Sequence, residues 1–476
     1  MNTDQGSDAV SMGERLSTFT KFIYGLGDWG AASATTARSL FWLYFTVTVV
    51  GVDVGLAGVA FIIGRVWDGI NDPLVGLISD RFQSRWGRRR PFMLVGAIPF
   101  GVGFYLMFSP PPVEGNLAAA LYYAFIFILY DTAYTIVNAP YAALTPELTE
   151  DYDERSSLAG WRMANSILAS LITAGLFKLL AESVFAGWFT GPDALQKGYM
   201  VAGALWGLVI VISPLLVVAF IKEPSRPSDV DPDPIRVGEI LRAVWSNRPF
   251  RIGALVYLLA FTASDIVTAV FVWFLVYHMQ LAAPFDSVVL AIVLGVAFLS
   301  MPLTIWLMHR WGKAATFIRL MSFWTLVMLT LSFLPPGNAT LVMVLAALAG
   351  IGYGAANAIP WAIVADVIEE DEWRTGKRRE GVYSGFLVTF RKVAAAFAVG
   401  FLVPQVLSAT GFQEGAVTTQ PEAAVIALRI FIGLAPAVLL ILSMFAAARY
   451  PLDRERHAEL RRKLEERRAA QALVGD

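Results

Sequence analysis

From Phe22 to about Arg449 the chain is one apolar run after another, separated by short polar connections. Each run is about 20 residues long, enough to cross the hydrocarbon core of a bilayer as a helix. The runs fall near 22–49, 54–79, 91–109, 117–145, 157–182, 198–221, 249–278, 286–308, 314–334, 339–366, 382–408 and 423–449. They predict an all-α polytopic membrane protein with twelve transmembrane helices, because backbone polar groups in lipid must be satisfied within each segment. Composition agrees: 16% of residues are charged and 57% hydrophobic, whereas a soluble domain carries about 25% charged residues. A net charge of -1 gives no global pull toward nucleic acid. The absence of cysteine removes disulfides and thiolate chemistry, and His278, His309 and His457 lie too far apart to suggest a metal site. No cofactor and no nucleic-acid partner are expected.

Charge in the connections sets the orientation. One set carries Arg81, Arg85, Arg88, Arg89 and Arg90, then Arg155, Lys222 through Arg251, Arg310 and Lys313, and Arg374, Lys377, Arg378 and Arg379. The alternate set contains only Lys197. The positive-inside rule makes the first set cytoplasmic, together with both termini. The predicted organisation is a cytoplasmic segment 1–21, an N-terminal six-helix bundle 22–222, a cytoplasmic linker 223–248, a C-terminal six-helix bundle 249–450 and a cytoplasmic tail 451–476. The linker is rich in Pro and Asp, and the tail reads as a solvated charged helix.

The halves echo each other. Arg85-Trp86-Gly87-Arg88 follows span two, and Arg310-Trp311-Gly312-Lys313 follows span eight. An acidic segment ending in Arg follows span four (150–155) and span ten (369–374). Two echoes in register favour a duplicated six-plus-six transporter, whose substrate is expected near the membrane midplane.

Charged residues inside spans are costly and so usually face a cavity or a partner. They are Asp28, Arg38, Arg65, Asp68, Asp72, Asp131, Arg162, Asp265, Arg391 and Lys392. Asp68 and Asp72, at i and i+4, share one helix face. Two carboxylates so close repel, so one takes a proton unless a cation neutralises the pair. Their hard oxygens, with the Asn71 carbonyl, suit Na⁺ or Li⁺; the alternative is a salt bridge to Arg65. Pro73 after Asp72 predicts a kinked helix with a freed carbonyl one turn back. In span four Asp131, Thr135 and Asn138 fall on roughly one face. Thr135 is either a further oxygen ligand or a hydroxyl bonded to its own helix. Asn138 either meets a polar substrate or packs beside Pro140. The Arg162 fork suits carboxylates or sugar hydroxyls, or else pairs with an acid on a neighbouring helix. Asp265 either pairs with Lys392 or Arg391 or carries a proton, and spacing does not decide which of those two bases faces a cavity. Tyr24, Trp29 and Trp161 either stack on a sugar ring or pack.

Arg65-Val66-Trp67-Asp68-Gly69-Ile70-Asn71-Asp72-Pro73 resembles a motif of the glycoside–pentoside–hexuronide:cation symporter family of the major facilitator superfamily. Tyr24-Gly25-Leu26-Gly27-Asp28 is similar to its opening motif. Ser79-Asp80-Arg81 and Ser84 to Pro91 resemble its loop between spans two and three. Tyr152 to Arg155 and Asp371 to Gly381 resemble its cytoplasmic gate loops. The resemblance covers the membrane domain in order and implies the major facilitator fold, two pseudo-symmetric six-helix bundles. It implies that Asp68, Asn71, Asp72 and Thr135 hold the coupling cation, with Asp68 and Asp72 the ligands if that ion is sodium. It assigns Arg162 and Lys392 to the sugar site. Ala32, Asn138 and Ala142 stand where the best-known member has Asp, Asp and Trp, so Asp28, one turn before Ala32, is the candidate replacement acid.

The expected function is secondary active symport of a sugar or glycoside by alternating access, coupled to sodium, or alternatively to a proton or lithium. The expected substrate-binding residues are Asp28, Asn138, Arg162, Lys392, Asp265 and Trp161. Asp80, Arg88, Arg89, Arg90, Glu154, Arg155, Asp371 and Arg374 are expected to form a cytoplasmic gate. The protein is expected to act as a monomer in the plasma membrane (the inner membrane in a bacterium) and not as an enzyme. The alternatives are a facilitator-type carrier of a non-sugar or anionic substrate (uronide, lysolipid or organic acid), a membrane enzyme, or a transporter-like sensor.

Overall fold

A computed structural model describes residues 16–82, 84, 86–149, 151–221, 247–281, 285–375, 380–415 and 418–452, and a few positions from 455 to 466. Most of the expected linker, the first fifteen residues and most of the tail lie outside the described residues. The described residues form helices and connections, with no strand among them.

In chain order the helices are α1 (Thr18–Ala37), α2 (Val54–Arg81), α3 (Arg90–Met107), α4 (Asn116–Leu148), α5 (Tyr152–Leu179) and α6 (Ala194–Phe220). They continue with α7 (Arg248–Trp273), α8 (Phe285–Leu299), α9 (Met301–Trp311), α10 (Lys313–Phe333), α11 (Ala339–Thr375), α12 (Glu380–Ala395), α13 (Val403–Ala409), α14 (Glu422–Ile432) and α15 (Leu434–Ala448). Short polar side chains start several of them. Ser17 accepts from the Thr20 amide, Asp151 from Glu154 and Asn247 from Phe250, each satisfying a donor that the first turn leaves open. By length and hydropathy ten described helices can cross a membrane, or eleven if α8 and α9, bent by 43° at Ser300, are one span. Helix α1 is not among them; it carries Lys21 and Asp28. Large apolar side chains such as Val95, Leu299 and Phe333 point outward, as lipid-facing residues do.

By contacts the chain divides into two units, one of Met1–Arg38 with Trp67–Val230 and one of Ser39–Val66 with Asp231–Asp476. Helix α1 therefore belongs to the first unit, and α2 is divided between the two at Val66 and Trp67. In the first unit α1 packs on α5 and α6, and α3 on α4 and α6. Its core gathers Ile23, Tyr24, Met93, Tyr141, Leu144, Leu158, Val217 and Ile221. In the second unit α7 packs on α11 and α15, and α11 on α8 and α10.

The duplication seen in sequence extends to conformation. Gly87 and Gly312, at matching places in the two Arg-Trp-Gly echoes, have φ of +101° and +80°. That left-handed turn is open to glycine without a Cβ clash, and it lets a new helix begin just beyond each. The four helices at equivalent positions, α1, α5, α7 and α12, each run on into π-helical turns: Arg38–Trp42 and Phe45–Val49, Leu180–Phe185, Phe274–His278, and Ala396–Leu402. Such turns tend to mark functional helices.

Helix α2 runs as one continuous α-helix from Val54 to Arg81, through Pro73. A proline removes one ladder bond and the neighbouring turns still hold the helix.

Close approach sets one strong steric limit. A Cβ added at Gly198 would lie 2.2 Å from the Ala181 carbonyl oxygen, where α6 meets the π-turns after α5. Backbone cannot yield as a side chain can, so Gly198→Ala is expected to cost about 1–3 kcal/mol by overpacking. A lowered unfolding temperature in detergent would register it; an unchanged one would contradict the packing.

Candidate functional site

In the first unit α2 and α4 bring the expected cation ligands together. Asp68 and Asn71 are buried and Asp72 is half-buried. The Thr135 hydroxyl lies 2.8 Å from Asp72 Oδ1 and 3.0 Å from the Asp131 carbonyl oxygen. Thr135 bonds back to its own helix, as one sequence reading has it, and the same hydroxyl touches the acid. Asn71 Nδ2 donates to the same Asp131 carbonyl at 3.2 Å, and Trp67 Nε1 donates to Thr132 Oγ1 at 2.8 Å, so α2 is pinned on α4 either side of the acids. Two carboxylates, a hydroxyl and an amide make a set of hard oxygen donors suited to a monovalent cation. Among the described residues no group of three or more Asp, Glu, His or Cys gathers as a multivalent metal site would require.

A second cluster joins α1, α4 and α5. Arg162 Nε and Nη2 approach Asp28 Oδ1 at 3.3 and 3.2 Å, and the guanidinium stands over the Tyr141 ring, 5.0 Å from its centroid. Tyr141 and Tyr24 stack and each hydroxyl donates to the other's backbone carbonyl. These bonds leave the Asp28–Arg162 pair on a rigid aromatic floor, and both members stay partly exposed. Asn138 Nδ2 donates to Tyr134 Oη at 3.0 Å. The Trp161 ring meets Phe22 edge to face at 6.2 Å.

The second unit holds an equivalent pair. Arg391 Nη2 donates to Asp265 Oδ1 at 3.0 Å, and its guanidinium lies 4.1 Å from the centroid of the Phe261 ring. Asp28 and Asp265 are on the first helix of each half and Arg162 and Arg391 on the fifth. The same acid–arginine–aromatic device thus occurs twice. Of the pairings left open by spacing, Arg391 with Asp265 is present.

The residues expected to form the gate include several that are held by nearby groups. Glu154 takes Lys21 at 2.9 Å and the Leu16 amide at 3.2 Å. Arg89 Nη1 donates to Ser79 Oγ at 2.9 Å, Arg90 to the Val218 carbonyl, Arg155 Nε to the Thr149 carbonyl, and Arg374 to Glu370. Asp371 is buried and Arg88 half-buried. The Asp80 side chain lies outside the described residues.

Two polar groupings had no place in the sequence reading. Arg38, noted only as a charge in span one, bonds Asp131 through Nη1 at 2.7 Å. Lys178 and Glu182 pair at 2.7 Å, and Tyr199 donates to the same carboxylate at 2.8 Å. The second was visible as opposite charges four apart at the end of span five. The first was not, because its members come from different helices.

Charged pairs and paired carboxylates held among apolar helices are what a membrane transporter carries, and the helices have the major facilitator fold. The fold agrees with solved transporters: the crystal structure of the nucleoside transporter NupG superposes with a TM-score of 0.63 at 13% identity, over 91% of this chain and 98% of that one. A model of the MFS/sugar transport protein family matches residues 23–454, and the chain belongs to that family. It is 30% identical to symporter sll1374 of Synechocystis sp., over 95% of this chain and 98% of the relative. It is 27% identical to the inner membrane symporter YicJ of Escherichia coli, over 92% of each. It is 26% identical to sodium-dependent lysophosphatidylcholine symporter 1 of Gallus gallus, over 96% of this chain and 90% of the relative.

Proposed function

We propose that the protein is a cation-coupled symporter of a sugar or glycoside, working by alternating access in the plasma membrane with both termini cytoplasmic. The observation that carries this reading is the cluster of Asp68, Asn71, Asp72 and Thr135, with Thr135 already hydrogen-bonded to Asp72. The coupling ion is sodium, a reading favoured by the sodium-dependent relative, with proton and lithium as the alternatives. A bound cation removes the repulsion between Asp68 and Asp72 and favours the conformations that accept substrate, which is all that coupling requires. The substrate-binding residues of this reading are Asp28, Asn138, Arg162, Trp161, Asp265 and Lys392. The cytoplasmic gate consists of Asp80, Arg88, Arg89, Arg90, Glu154, Arg155, Asp371 and Arg374.

A second substrate reading, an anionic sugar such as a uronide, is favoured by the duplicated Asp–Arg pair, since each guanidinium has the fork that grips a carboxylate. Uptake into reconstituted vesicles tests both. Accumulation of a labelled neutral glycoside or uronate should rise with an imposed inward Na⁺ gradient. Competition among glycosides, uronates and lysophosphatidylcholine then ranks the substrates. Uptake indifferent to Na⁺, Li⁺ and proton gradients would overturn the coupling.

A further inference from the structure

Arg38 and Asp131 form an ion pair that the transport reading leaves without a role. Both side chains are buried, at 7% and 0% exposure, and Nη1 lies 2.7 Å from Oδ1. The guanidinium stands 5.5 Å from the Phe127 ring centroid and 5.6 Å from that of Tyr130. Burying such a pair is expensive, and apolar replacements are often more stable, so its presence in a span invites a reason other than stability.

The surroundings supply one. Asp131 is built into the cation cluster through its backbone, whose carbonyl accepts from both Asn71 and Thr135. The Asp131 side chain holds Arg38 while its carbonyl is bonded by Asn71 and by the Thr135 hydroxyl that touches Asp72. A permanently charged guanidinium is therefore anchored on a residue built into the site that is meant to recruit a cation from solution. Attached to the chain, it competes at high effective concentration. If it turned onto Asp68 it would neutralise the site from within.

We propose that Asp131 is a positioning residue that tethers Arg38 away from Asp68 and Asp72 and so keeps the site open to the coupling cation. This rests on the assignment of Asp68 and Asp72 as the cation ligands. The short bond to Asp131 and the two rings hold the guanidinium in place, and the π-turns that begin at Arg38 set its position on the helix.

The test is Na⁺ and Li⁺ binding to the full-length purified protein by titration calorimetry, which needs no knowledge of the substrate. Asp131→Asn releases the tether and is expected to weaken Na⁺ binding at least about tenfold, given the strength of charge interactions a few ångström apart at reduced dielectric. Adding Arg38→Gln to it removes the competitor and is expected to restore binding to within about threefold of wild type. A merely structural pair would give no such rescue. Asp131→Glu keeps the charge and is expected to bind Na⁺ like wild type. Should D131N fail to fold, the double variant decides alone: near-normal Na⁺ affinity supports the tether, and lost affinity in a folded protein overturns it. Wild-type affinity in D131N, or equal loss in the single and double variants, overturns it too. A wild-type protein that binds neither Na⁺ nor Li⁺ would instead sink the cation-site reading and the tether with it.

Discussion

Asp72→Asn is expected to reduce gradient-driven uptake to background, a loss of at least about a hundredfold, while the protein stays folded. The substitution is nearly isosteric, and an amide oxygen still accepts the bond from Thr135 that now measures 2.8 Å to Asp72 Oδ1. What disappears is one negative charge at a half-buried position next to buried Asp68. A monovalent cation taken out of water needs that charge, because neutral oxygens alone do not offset the lost hydration inside a span. Removing it also relieves carboxylate repulsion, so thermal stability should hold or rise. Uptake under imposed Na⁺ or proton gradients and Na⁺ calorimetry read the two halves of the claim. Unchanged accumulation would sink the coupling role of Asp72, and lost uptake with intact Na⁺ binding would place its effect elsewhere.

Arg162→Ala is the second variant with a large expected effect, again at least about a hundredfold in uptake. The guanidinium is the one group that both bonds Asp28 and stands on the Tyr141 ring. Truncation leaves Asp28, 8% exposed, without that partner, and an acid so placed costs about 3–5 kcal/mol when its partner is cut away. Folding and transport are separated by a second variant, Asp28→Asn with Arg162→Gln. Two amides can hydrogen-bond in place of the ion pair, so this protein should recover thermal stability but not uptake. Recovery of uptake would make the pair a structural staple and move substrate recognition to other residues. The equivalent pair, Asp265 with Arg391, provides an internal control. If this pair too serves the substrate, Arg391→Ala should also lose uptake, without changing Na⁺ affinity.

How much of this was legible beforehand differs by residue. The Asp68 and Asp72 pair could be read from spacing, because i and i+4 on a helix share a face whatever the helix packs on. Thr135 could be placed on the right helix, and its bond to Asp72 needed only α2 and α4 to be neighbours. Trp161 shows the limit. It sits beside Arg162 in sequence, yet adjacent residues on a helix point about 100° apart, and its ring went to Phe22. The choice between Arg391 and Lys392 was undecidable for the same reason.

The sequence by itself determined that the chain is a succession of apolar helices, with its loop charges, its Arg-Trp-Gly echo and the short catalogue of charges inside the apolar runs. Those follow from hydropathy and from residue identity, which are local properties. Only the tertiary structure decided who meets whom: Asp28 with Arg162, Asp265 with Arg391, Asp131 with Arg38. Each of these bonds joins two helices, and it depends on the rotation and depth of each one against its neighbour. In a membrane those are set by side-chain packing between surfaces that are equally apolar toward lipid and toward protein, so hydropathy leaves no trace of them in the chain.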